Sequence, residues 1–169
     1  MPIKNQWLLS VAMVLLAWLT LPFLGLRNIK RFLPASIMII LIESLNVQIG
    51  KKRKWWVFYN KPNSFLSGEF PFNIGPFLIG SMWILKLTYG NFIRYLLLNA
   101  FVDATFTFPI IWILKKVKIV TLVRINEIQF FIYIFYKAFL LYGFQYLFES
   151  LKEFRSSTNL DGEYYRQET

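Results

Sequence analysis

The chain has 169 residues, 56% of them hydrophobic and 20% aromatic, with mean hydropathy +0.46 and a formal charge of +10. It contains no Cys and no His, which excludes disulfides, haem, thiolate zinc sites, Cys nucleophiles and His general bases. The apolar residues run in long blocks instead of alternating with a polar face, the pattern of bilayer spans and not of a soluble core.

Residues 7–24 form the first block. Lys4 ahead of an apolar run also fits a secretory signal peptide. The run exceeds the usual hydrophobic region, however, and no small-x-small cleavage pattern comes after it, so a retained helix is expected. Pro22 should end or kink its last turn. Residues 32–50 form the second block, with Pro34 expected in the first helical turn, where its missing N–H costs nothing. Ser36, Glu43, Asn46 and Gly50 return near one face at helical pitch, which makes this the most polar span. A re-entrant hairpin is the competing reading. Lys51, Lys52, Arg53 and Lys54 come next, then Trp55 and Trp56. Basic residues succeeded at once by indoles suit the headgroup zone of an anionic bilayer surface. Residues 60–67 read as a loop from Pro62, Asn63, Ser64 and Ser67.

The third block, 72–89, opens among Pro71, Gly75 and Pro76, so an irregular first turn is expected. Such backbone at membrane depth must be buried in protein or line water. Lys86, near the far end, can snorkel outward. The fourth block is 92–114. Asn99, Asp103 and Thr107 recur every four residues as one polar stripe, and Pro109 should kink the helix beyond it. The fifth block, 128–148, carries Gln129, Tyr133 and Lys137 at the same spacing. The fold expected is an all-α integral membrane bundle of about five transmembrane helices over residues 1–148, with a polar tail at 149–169 that starts as helix and then frays.

Glu43, Asp103 and Lys137 each sit near the middle of an apolar block. A charge at that depth costs at least a few kcal/mol and usually faces a partner or a cavity. The three are therefore expected to meet, with Asn46, Asn99, Thr107 and Tyr133 beside them. The cluster serves either as a packing lock or as a path for protons or a small solute. No P-loop, Rossmann or nucleophile-elbow pattern is present, and Asp103 is the single aspartate within a span, which disfavours an aspartyl dyad. An enzyme is the weaker reading, and no cofactor or metal is expected. The basic charge falls in short runs between spans, which fits topology signals better than nucleic-acid binding.

With five spans and a cytoplasmic N-terminus, ten of the 19 basic residues fall inside and seven outside, leaving Lys86 and Lys137 in the membrane. The positive-inside rule favours that orientation. The stretches WLLSVAMVLLAWLTLPFLG, KKRKWW and SGEFPFNIGPFLIGSMWILKLTYG resemble those of small, uncharacterised multi-pass membrane proteins of Bacillus-type Firmicutes. That resemblance implies a bacterial cell membrane and a multi-pass architecture, and no activity. The expected role is an accessory or binding subunit, packing its polar seam against itself, a membrane-protein partner or a small solute. A transporter or channel-like protein is the alternative.

Overall fold

A computed structural model of the protein describes residues 3–58, 69–116 and 119–167. The expected loop at 60–67 lies outside these. Helix α1 (Ile3–Leu19) is followed by a single turn, α2 (Leu21–Leu24), with Pro22 in its first positions. Thr20 interrupts the two, and its hydroxyl donates to the Ala17 carbonyl at 2.7 Å. Gly25, at φ +81°, turns the chain into α3 (Leu26–Arg53).

Helix α3 starts well before the expected boundary. Leu26, Ile29 and Leu33 supply an apolar face at helical spacing, and Ile29 and Leu33 pack on the main core. Arg27, Lys30 and Arg31 are thus helical residues and not a loop. Pro34 sits inside the helix instead of in its first turn. The helix ends on Lys54 in the left-handed conformation, and the Trp55 N–H closes back on the Gly50 carbonyl at 3.0 Å.

The third long helix is continuous but irregular, as its glycine and prolines imply. Helix α4 (Glu69–Phe72) passes through a π turn (Asn73–Phe77) into α5 (Leu78–Thr88). Pro76 has no N–H to give, and the Leu78 N–H reaches back to Asn73. The Ile74 carbonyl is taken instead by the Trp18 indole of α1 at 2.9 Å. Gly75 lets α1 approach: a Cβ there would lie 3.0 Å from the Val14 Cα. The fourth helix repeats the device. Helix α6 (Phe92–Thr105) runs through a π turn at Phe106–Ile110, around Pro109, into α7 (Ile111–Lys116). Helix α8 (Glu127–Gln167) has no break where the polar tail was expected to begin. Its 41 residues would measure about 60 Å.

Among the described residues four helices are long and apolar enough to cross a membrane: Leu26–Arg53, Phe70–Thr88, Phe92–Lys116 and Glu127–Arg155. The N-terminal helix adds a shorter apolar stretch, Ser10–Leu24. Helix α3 packs along α5 and α8, α6 packs on both α5 and α8, and α1 lies against the π turn and α4. The bundle is antiparallel. At one end Arg31 of α3 meets Glu149 of α8, its Nη2 donating at 2.9 Å, and Lys86 donates to the Phe23 carbonyl at 2.8 Å. At the other end the segments after α3 and α7 pair as a two-stranded antiparallel ribbon, β1 (Trp56–Phe58) with β2 (Val120–Leu122). The basic runs at 51–54 and 115–116 therefore stand at the same end.

Candidate functional site

The core is two apolar clusters with a polar layer between them. One, built on Leu24, Phe32, Leu85 and Tyr95, fills the half of the bundle near Arg31 and Glu149. The other, built on Val47, Trp56, Ile111 and Phe130, lies under the ribbon. Between them the Lys137 ammonium forms an ion pair with the Glu43 carboxylate, the two side chains 5% and 12% exposed. Tyr133, one turn before Lys137, donates its hydroxyl to Glu43 at 3.3 Å. Its ring also lies 4.0 Å below the ammonium, so the cation is held by a carboxylate and a π face at once.

A cavity of about 570 Å³ opens beside this pair. Glu43, Asn73, Ser81, Asn99, Asp103 and Lys137 supply polar atoms to its wall. Most of the rest is apolar and aromatic, including Trp56, Phe72, Phe77, Phe106 and Phe130. The ribbon closes one end through Trp56, Val120 and Leu122. The flank is less closed. Ser10 and Met13 of α1 and Phe101, Val102 and Thr105 of α6 line the cavity, and among the described residues these two helices are not closely packed, which leaves its mouth between them. Phe101 is 70% exposed although it lines the cavity.

Of the three ionisable residues read from the sequence, Glu43 and Lys137 are in contact, and Asp103 lines the same cavity. Asp103 makes no hydrogen bond or ion pair among the described residues. Asn99 is buried, and its amide is anchored to the Tyr95 carbonyl at 2.8 Å. Thr107 is fully buried in the π turn, off the cavity wall, with its hydroxyl unpartnered. Asn46 is turned away from the cluster. Three residues past Glu43, it donates to the Tyr136 hydroxyl on the outer side of α8.

The headgroup expectation needs one correction. Lys52, Arg53 and Lys54 are exposed and Lys51 is half-buried. Trp55 is half-buried, with Arg53 stacked over its ring at 5.7 Å. Trp56, however, is only 7% exposed. Its first strand position points it inward, against Phe130 and Tyr133. It lines the cavity and is not exposed at the surface.

Several buried polar residues were not read from the sequence. Tyr95 is fully buried and donates to the Ala138 carbonyl at 2.7 Å, tying α6 to α8. It stands four residues before Asn99, so extending the stripe by one turn finds it. Gln145 is also fully buried, eight residues past Lys137, and donates to Glu149 at 2.8 Å. Asn73, in the π turn, and Ser81, in α5, both line the cavity. Among the described residues no group of three His, Cys, Asp or Glu is placed to hold a metal ion. No protein family, curated protein or solved structure matches the chain.

Proposed function

We propose that this is a small multi-pass protein of a bacterial cell membrane, its N-terminus cytoplasmic, acting as a binding or accessory subunit. It holds a small amphipathic solute in the cavity beside the Glu43–Lys137 pair. One observation carries the reading: a cavity of about 570 Å³ reaches a buried polar cluster at mid-bundle. Small-molecule sites fall in the range of about 300–1,000 Å³, mostly apolar, with a few convergent polar groups. The exposed basic runs at the ribbon end fit an anionic leaflet, and the exposed apolar flanks leave room for a membrane-protein partner or a second copy.

A transport path through Glu43, Asp103 and Lys137 is the other reading, favoured by Asp103 on the cavity wall, which has no hydrogen bond or ion pair among the described residues. Against it stands the plug of Leu24, Phe32, Leu85 and Tyr95, all buried, which fills the opposite half of the bundle. The test is binding of a neutral solvatochromic naphthalene dye to the protein in phosphatidylcholine nanodiscs. Gly80 lines the cavity and has open space before it, so Gly80→Leu should fill the site. Saturable binding that weakens at least about tenfold in Gly80→Leu is expected. Absence of saturable binding, or equal binding by both proteins, would sink the proposal. Proton or dye flux by the wild type in liposomes would favour the path instead.

A further inference from the structure

The cavity wall is unbalanced in charge. Glu43 and Asp103 bring two carboxyl groups, and Lys137 brings one amine. That amine is already engaged by Glu43 and by the face of Tyr133, and its side chain is 5% exposed. Among the described residues an acidic ligand would find no free cation on this wall, and it would add a third carboxyl group. A basic ligand finds Asp103, half-buried and without a hydrogen bond or ion pair among the described residues. The Phe77 ring is already shared with the Lys137 ammonium, 5.8 Å from its centroid; the ring of Phe106 stands on the same wall, and a cation near its face is further favoured.

The mouth sets where such a ligand comes from. It lies between α1 and α6 on the flank of the bundle, and Phe101 and Val102, immediately before Asp103, are exposed at its rim. The ribbon and Trp56 cover the end of the cavity, so the flank is the open side. A flank at this depth meets hydrocarbon, which suits an amphiphile already dissolved in the bilayer.

Resting on the cavity-binding reading, we propose that the solute is an amine-bearing amphiphile that enters from the bilayer through the α1–α6 mouth. Its nitrogen pairs with Asp103, and its apolar body lies on Phe72, Phe106 and Phe130. The salt pair is the same whether the ligand arrives as ammonium meeting carboxylate or as free amine meeting carboxylic acid. In the second case one proton moves from the carboxyl oxygen to the nitrogen.

The probes are dodecylamine and 1-dodecanol, which share a chain and differ in the head. Each is titrated against the protein in phosphatidylcholine nanodiscs, with empty nanodiscs subtracted, and read by displacement of the neutral dye. The wild type should bind the amine at least about tenfold more tightly than the alcohol, the gain from one charge-assisted contact. Asp103→Asn should remove the amine's advantage over the alcohol, and a cooperative thermal melt close to that of the wild type reports that the variant folds. Asp103→Glu should restore the preference. Equal binding of amine and alcohol by the wild type, or an amine preference that survives in Asp103→Asn, would overturn the amine assignment and leave the cavity-binding reading standing. If neither probe displaces a dye that binds saturably, the amphiphile class is wrong. If the dye itself does not bind, the proposed function falls with it.

Discussion

Replacing Lys137 by Met removes the cation and keeps most of the side-chain volume. Glu43 then remains 12% exposed in the middle of the bundle, with the Tyr133 hydroxyl at 3.3 Å. A neutral hydroxyl compensates a buried carboxylate poorly. At an effective dielectric constant near 20, an opposite charge at about 4 Å contributes about 4 kcal/mol, while an uncompensated buried charge left by breaking such a pair costs about 3–5 kcal/mol. Lys137→Met should therefore lower the folded-to-unfolded ratio by roughly two to three and a half orders of magnitude. Lys137→Arg, which keeps the charge, should lose less. The decisive variant is the double change Lys137→Met with Glu43→Gln, which strands no charge and should recover most of the loss. The wild type, the two single variants and the double variant form a double-mutant cycle, measured by denaturant unfolding in detergent micelles. A single Lys137→Met as stable as the wild type would refute the reasoning. So would a double mutant no more stable than Lys137→Met alone, because then the loss is packing and not charge.

At Gly50 a Cβ would overlap the Trp56 ring. Gly50→Ala should displace the indole and destabilise by about 1–3 kcal/mol, read as a red-shifted Trp56 emission in a variant retaining that indole alone and as a lower melting temperature. Single cysteines can be introduced into this cysteine-free chain to test sidedness. Lys52→Cys and Ile119→Cys should label from one side and Arg27→Cys and Arg94→Cys from the other. On intact cells an impermeant maleimide should reach only the second pair, and any mixed pairing contradicts the antiparallel bundle. Tyr89 lies between two spans, and burial first, then the charge of Glu149, holds its phenol up at about 12. The folded state keeps a proton that the unfolded chain releases near pH 10, so stability is full below about pH 10 and falls as pH rises toward 12. Tyr89→Phe should flatten that fall in thermal melts taken across the range.

The helices were legible because apolar blocks long enough to span a bilayer leave few alternatives. The pairing of Lys137 with Glu43 was legible only as depth: each residue lay at the centre of its block, and hydrocarbon tolerates little else there. Which carboxylate takes the lysine depends on helix rotation and neighbours, which hydropathy does not encode. Asn46 illustrates the limit. Its spacing from Glu43 allowed the same face, yet a rotation of a fraction of a turn carries it to Tyr136. The start of α3 was misplaced because basic residues read as loop, whereas Arg31 is retained in the helix by Glu149 and by stacking over Phe32 and Tyr89. The ribbon was not legible at all. Two strands of three residues carry no periodicity, and the aromatic run at Trp55 and Trp56 has the composition of a headgroup belt. Only tertiary pairing with Val120–Leu122 turns one indole inward.

The π turn between α6 and α7 also sets the phase of the residues beyond it. At the ordinary 100° per residue, Ile111 would stand about 80° away from Asp103 around the helix axis. The wider turn absorbs about one residue and brings it back to within about 20°. Ile111 is buried on the cavity wall with Asp103, as that angle requires. The fourth helix therefore carries one residue more than a regular helix of the same facing would need. Deleting Phe108 would let the turn close regularly while Ile111 to Lys116 keep their facing and β2 keeps its register with Trp56. The same deletion at Leu97, inside regular helix, has no slack to draw on. It would swing Tyr95 and its neighbours about 100° away from α8, with the hydropathy of the chain almost unchanged.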